Sequence, residues 1–277
     1  MISSAVFAAE TVEEVYRHLG YDFIPPELRE NSGELEAARE GRLPQLVEVG
    51  DLAGDLHSHS TWSADGKATM EEMAAAARAR GYRYLAVTDH SHYLREGRIE
   101  QQAEEIAALN ARLKPFRLLR GVEVNIKADG TLDLPDDVLA GLDWVVASLH
   151  TSFDKNPTER ILASIDNPHV DCIGHLTGRR LSKRAGADVD IERIVERALA
   201  TKTALEINSQ PDRLDMRDTH ARLAGEAGVL ITIDSDAHSP NALGYVEYGI
   251  SQARRAWLTK EHILNTRPWS EIEKMLA

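Results

Sequence analysis

GDLHSHSTWSADGKATMEEMAAAARARGYRYLAVTDH, residues Gly54–His90, reads as one complete strand–helix–strand unit. Its flanks, Asp55–Ser60 and Tyr84–Thr88, are short β-type runs. Between them Met70–Arg80 carries apolar residues at a period near 3.6, the mark of an amphipathic helix. Thr69 followed by Glu72 forms a capping box, and Gly81 stands where a helix end calls for a left-handed residue. Both strands end on histidine: His57 and His59 close the first, His90 the second.

The same grammar continues through the chain. Further strands are expected at Arg117–Val124, Trp144–Leu149, Val170–Gly174, Ala204–Asn208 and Val229–Ile233. Helical periods mark Glu100–Leu113, Ile191–Ala200 (with Asp190 as N-cap) and Thr219–Ala227. Strands alternating with helices imply βαβ units on a parallel sheet. Seven of them in about 225 residues suit a closed or nearly closed α/β barrel better than an open sheet. Residues 1–50 stand apart, with ten acidic and four basic residues and the helix-breaking Pro25-Pro26. They are expected to be an appended arm packed on a main body spanning 51–277.

Composition narrows the function. The 277 residues carry 32 Lys+Arg against 45 Asp+Glu, a net charge of −13. That argues against a broad basic surface gripping duplex nucleic acid through its phosphates. No apolar run reaches the roughly 18 residues of a membrane helix, so no membrane association is expected. The start, MISSAVFAAETVEE, lacks the basic region of a signal peptide. A single cysteine, Cys172, excludes a disulfide framework and a cysteine-based zinc knuckle, and a cytoplasmic location follows. Inside a strand, that thiol is expected to be buried and inert; Trp144 is likewise expected in the core.

Six of the eleven histidines and three carboxylates fall at or just past strand ends: His57, His59, Asp65, His90, Glu123, His150, His175, Asp236 and His238. His18, His92, His169, His220 and His262 lack that placement. In a parallel barrel all those ends open on one face, where barrels place their chemistry. Residues i and i+2 of a strand share a side, so His57/His59 and Asp236/His238 are paired clamps. Imidazole and carboxylate suit Zn²⁺, Mn²⁺ or Fe²⁺, and nine such groups suit two or three divalent ions. Two ions about 3.5–4 Å apart hold both oxygens of an in-line displacement at phosphorus and lower the pKa of a shared water. No G-x-S-x-G elbow, P-loop or H-E-x-x-H offers rival chemistry.

The ordered motifs DLHSHS, TDHS, GVEVN, ASLH, IGH and SDAH resemble the PHP (polymerase and histidinol phosphatase) superfamily. IGHLTGRR, LEINSQPDRLD, ITIDSDAHS and VEYGISQARRAWLTKEHILNT resemble more narrowly the C-terminal PHP domain of bacterial family X DNA polymerases. ETVEEVYRHLGYDFIPPELRE is similar to the segment joining that domain to the polymerase core. The resemblance implies a distorted (βα)7 TIM-like barrel with a short N-terminal extension. It implies three metals: the first on His57, His59, Glu123 and Asp236; the second sharing Glu123 and adding His150 and His175; the third on Asp65, His90 and His238. It also implies 3′–5′ exonuclease or 3′-end phosphoesterase activity, with DNA as substrate and a polymerase core as partner. Three departures stand out: TWSADG is one residue longer than the usual TWSDG, Leu176 replaces a proline, and Thr151–Thr158 is short.

Three carboxylates against three divalent ions leave the pocket near +3 by formal charge, enough to draw phosphate into an acidic protein. Beyond His175 lies the basic cluster Arg179, Arg180, Lys183 and Arg184. Arg179 or Arg180 is the expected clamp on the transition state, because guanidinium meets two phosphate oxygens at once. Glu123 is the expected bridging carboxylate, and His238, where not a ligand, the proton donor to the leaving oxygen. Asn208, Asp212, His92 and Trp62, the last by stacking on a base, are expected substrate contacts. The alternatives are a small-molecule phosphatase or phosphodiesterase of histidinol-phosphatase or phosphotriesterase type, and a non-catalytic, metal-stabilised module attached to a polymerase.

Overall fold

The computed structural model describes residues 8–276. In chain order the elements are α1 Val12–His18, α2 Glu34–Arg39, β1 Gly54–Asp55, α3 Met70–Ala79, β2 Tyr84–Val87, α4 Arg98–Leu113, β3 Arg117–Asn125, α5 Asp136–Leu139, β4 Trp144–Ser148, α6 Pro157–Ile165, β5 Cys172–Gly174, α7 Ile191–Thr201, β6 Ala204–Asn208, α8 Asp218–Ala227, β7 Ile231–Asp234, α9 Val246–Arg255 and α10 Trp269–Leu276. The strands form one parallel sheet in sequential order, β1 to β7. Beyond β7 the sheet meets its own start: His59 N–H donates to the Ala237 carbonyl at 2.8 Å, and Ser58 bridges Ala237 in parallel. The result is a distorted, nearly closed (βα)7 barrel.

The first strand is shorter than its alternation predicts, two residues instead of six. The cause is competition for the backbone. The amides of Leu56, His57, Ser58 and Ser60 donate to side chains of Asp234, Asp55, Thr88 and Asp89, not to a neighbouring strand. This segment is therefore pinned at the sheet's seam by side chains.

Period-two alternation sorts the strand residues into two layers. Leu85, Val87, Leu118, Val122, Val145 and Leu205 face outward into the apolar layer beneath the helices. Tyr84, Ala86, Leu119, Trp144, Val146, Cys172 and Ala204 face inward and pack with Leu264, Trp269 and Ile272, which plug the N-terminal end. Trp144 and Cys172 are buried, and burial pushes the Cys172 thiol up. Further along the same inward rows stand Glu123, Ser148, Glu206, Asn208 and Asp234, all buried. The barrel is apolar at one end and acidic at the other.

Within residues 8–50, Ile24, Leu28, Ala38 and Leu46 form a small cluster against Trp257. Glu27 and Glu30 pair with Arg254 and Arg255 of α9, and Val47 N–H donates to the Leu258 carbonyl. Two of the segment's acidic residues thus face cations of the barrel. Among the described residues no helix is long and apolar enough to cross a membrane.

Candidate metal centre

All nine predicted ligand residues meet at the acidic end of the barrel. Glu123, at the top of β3, is their hub. Its Oε1 lies 3.6 Å from His57 Nε2, 3.2 Å from His150 Nε2 and 2.9 Å from His175 Nε2. Its Oε2 lies 2.6 Å from His90 Nδ1 and 3.8 Å from His59 Nε2. Asp236 Oδ1 is 3.1 Å from His59 Nε2, and Asp65 Oδ2 is 3.1 Å from His238 Nε2 and 3.3 Å from His90 Nε2. Asp65 therefore reaches both histidines from the loop that follows His59. That loop folds back tightly at Gly66, where a Cβ would stand 1.8 Å from the Ser60 carbonyl oxygen, so only glycine fits.

The donor atoms fit cations better than they fit each other. His57 Nε2, His59 Nε2, His90 Nδ1 and Glu123 Oε2 are buried and make no hydrogen bond, although their neighbours are within reach. Buried polar atoms are seldom left so. They point at shared space instead of along donor–acceptor lines. Three sets, His57/His59/Glu123, His59/His90/His238 and His90/Glu123/His150, each bring their ligand atoms within 4.8 Å of one another. This geometry can hold metal ions.

The electrostatics agree. Burial drives His59 down to about 3, and burial with the Arg213 charge does the same to His175, so both imidazoles are neutral. For His90, burial is outweighed by the Glu123 and Asp65 carboxylates, which hold it up at about 10. His57 is likewise held well above its ordinary value, against burial, by Glu206, Asp236 and Glu123. Glu123 stays ionised against burial because His150, His57 and His90 surround it. The carboxylates around them thus hold both the His57 and His90 imidazoles toward the charged form.

Several of these candidate ligands are fixed from behind. His150 Nδ1 donates to Asn125 Oδ1 at 2.6 Å, and Asn125 is held in turn by Asp133. His238 Nδ1 donates to the Asp236 carbonyl at 2.9 Å, which leaves Nε2 facing Asp65. Such supports fix the tautomer and orientation of ligating imidazoles.

Above the cluster opens a cavity of about 500 Å³ whose walls include Asp65, His90, Glu123, His150, His175, Asp236 and His238. Its cationic lining is Lys67, Arg180 and Arg213; Asp212, Gln210 and Tyr245 complete the rim. Arg180 pairs with Asp212 at 2.7 Å. Arg179 lies elsewhere: its guanidinium donates to the carbonyls of Arg213 and Leu214 and braces the loop that carries Arg213. Asn208 is fully buried, its Nδ2 shared between Glu206 and Asp236, so it stands under the cavity and not in it. Trp62 donates to Glu105 beneath the Arg98 guanidinium, away from the lining. His92 is exposed and stacks on His90 at 5.5 Å.

Arg213, Lys67 and Glu206 were not singled out in the sequence. Arg213 follows Asp212 in a turn that shows no period. Glu206 had a usable signal, because it lies two residues before Asn208 on the same inward row.

The sequence profile described as "PHP domain" matches residues 55–210. The chain is 44% identical over 272 residues to the "DNA polymerase/3'-5' exonuclease PolX" of Bacillus subtilis (strain 168), covering 95% of this chain and 47% of that protein. The chain thus spans about half of that relative. It is 31% identical over 229 residues to a "Probable phosphatase" of Thermoanaerobacter sp. (strain X514), covering 78% of this chain and 91% of that one. Among solved structures, histidinol phosphate phosphatase from Lactococcus lactis, complexed with zinc, L-histidinol and phosphate, superposes with a TM-score of 0.55. That match has 19% identity and covers 73% of this chain and 93% of the other.

Proposed function

The chain belongs to the PHP domain family, and on that premise we propose that it is a metal-dependent phosphoesterase acting at the mouth of its barrel. The observation that carries this reading is the set of buried, unpartnered ligand atoms around Glu123. His57, His59, Glu123 and Asp236 would hold one ion; Glu123, His150 and His175 a second; Asp65, His90 and His238 a third. Bound Zn²⁺, Mn²⁺ or Fe²⁺ supplies Lewis acidity toward a phosphoryl oxygen and makes water nucleophilic near neutral pH.

The chain's own groups do the rest. Arg180 and Arg213, from the cavity wall, bind non-bridging phosphoryl oxygens and oppose the charge that grows on them, as charge-assisted donors do. Lys67 adds a third cation to the cavity lining. His238 faces the cavity with Nε2, so a proton passed to the leaving oxygen comes from that atom when it is not a ligand. Arg179 acts on substrate only through the loop it braces. We read residues 1–50 as an extension and 51–277 as the phosphoesterase unit, working in a reducing cytoplasm.

The likeness to the Bacillus protein favours phosphodiesters at a DNA 3′ end, with a polymerase core as partner. A small phosphomonoester is the second reading, favoured by the phosphatase relative of which this chain covers nearly the whole length. The test is hydrolysis of a chromogenic phosphodiester with Mn²⁺, followed by a 3′-recessed oligonucleotide set against histidinol phosphate. Turnover of the oligonucleotide supports the first reading and turnover of histidinol phosphate the second. Inactivity with full metal loading would leave a scaffold role and overturn the enzyme.

A further inference from the structure

Glu206 lies on the inward row of β6 and is wholly buried. Its Oε1 accepts from His57 Nδ1 at 2.6 Å. Its Oε2 accepts the His175 N–H at 2.6 Å and Asn208 Nδ2 at 3.1 Å. Asn208 Nδ2 also reaches Asp236 Oδ2 at 3.1 Å. One carboxylate therefore connects three of the ion-facing residues, one from each side of the seam and one from β5's end.

Two of those residues sit on backbone that needs support. His175 and Asp236 have φ of 24° and 50°, in the left-handed region that non-glycine residues avoid. These turns bend both side chains from the ends of their strands into the cage. The third, His57, has one ring nitrogen on Glu206, while the other, Nε2, is buried and unpartnered 3.6 Å from Glu123. A carboxylate behind a histidine sets its tautomer and orientation and raises its basicity as a ligand.

We propose that Glu206 is a positioning residue of the metal centre: it keeps His57 protonated at Nδ1 with Nε2 free for a cation, and holds His175, and through Asn208 Asp236, in their strained poses. The inference rests on the metal-centre reading. A carboxylate that served only to staple strands would alter the stability of the ion-free protein and leave the folded protein's affinity for ions unchanged.

The full chain and its Glu206→Gln variant would be titrated with Zn²⁺ against a chromophoric chelator, with far-UV circular dichroism as the check on folding. Glutamine keeps the shape, but its single acceptor oxygen cannot serve both the His57 Nδ1–H and the His175 N–H. The variant is expected to bind Zn²⁺ about 10–100-fold more weakly, and its Co²⁺ form to show an altered visible absorption spectrum. Wild-type affinity and spectrum in a folded variant overturn the assignment. A wild-type chain that takes up no Zn²⁺ overturns the metal-centre reading, and the assignment with it, so the two failures have different signatures. Should the variant not fold, ¹⁵N chemical shifts of the Zn²⁺-loaded wild type decide. His57 protonated at Nδ1 supports the proposal, and protonation at Nε2 overturns it.

Discussion

Glu123 touches five histidines from one buried carboxylate, and no other side chain in the cage does as much. Glu123→Gln keeps the volume but removes the charge that the proposed ions would share. It is expected to lower phosphodiester turnover by at least about 100-fold, since even outer partners of metal ligands cost 10–100-fold. Paired rate measurements and metal analysis check this, and unchanged turnover contradicts it. A second prediction concerns Asp171, which burial lifts to about 7 while it accepts the Val145 N–H at 2.7 Å. Its unfolded value lies near 3.9, so between about pH 4 and 7 the folded chain binds the proton more tightly than the unfolded one. The resulting stabilisation is complete below pH 4 and is lost as pH rises to 7. Asp171→Asn keeps an acceptor without that titration. Urea unfolding should show it gaining stability relative to wild type between pH 4 and 7, and equal slopes for the two would refute the account. The histidines were legible because strand ends announce themselves in apolar alternation. Arg213 was not, because nothing local tells which guanidinium of a turn points inward and which, like Arg179, is spent on carbonyls.

The βαβ rhythm made most elements readable, and their ends follow from local chemistry. α3 starts on a complete capping box: Thr69 Oγ1 accepts the Glu72 N–H, and Glu72 accepts the Thr69 N–H. Thr69→Ala should cost about 1 kcal/mol of stability, read as a shift in urea midpoint without loss of metal binding. No shift would mean that tertiary packing alone holds the helix. α9 went unread although Val246, Ile250 and Ala253 recur at helical spacing. Its interior Gly249 weakens the pattern, yet a Cβ there would meet Ser209 Oγ at 2.1 Å and Ile233 Cγ2 at 2.7 Å. The glycine answers to close packing of the helix on the sheet, which a single sequence does not display. α10 escaped for a different reason: its Trp269 and Ile272 plug the barrel base, a contact set by topology. The strand at Asp55–Ser60 was over-read because the amides of Leu56, His57, Ser58 and Ser60 are claimed by the side chains of Asp234, Asp55, Thr88 and Asp89 instead of by a neighbouring strand.

At the scale of the molecule, a chain of net charge −13 buries its most concentrated acidity at one barrel end and surrounds it with imidazoles. The apolar layers beneath the helices and within the barrel base are independent of that cluster, so removing ions should loosen the mouth without unfolding the fold. Calorimetry should therefore find a chelated protein that still unfolds cooperatively. Its Tm should rise with added Zn²⁺, with stabilisation approaching about 2.7 kcal/mol at a free concentration 100 times Kd. A Tm indifferent to Zn²⁺ would contradict this. The most direct measurement is an anomalous difference map from crystals grown with Zn²⁺ or Mn²⁺ and collected at the metal's absorption edge. Two or three peaks within the cage, one pair bridged by Glu123, are the predicted result; a cage free of anomalous density at full soaking would contradict the metal centre and the hydrolase built on it.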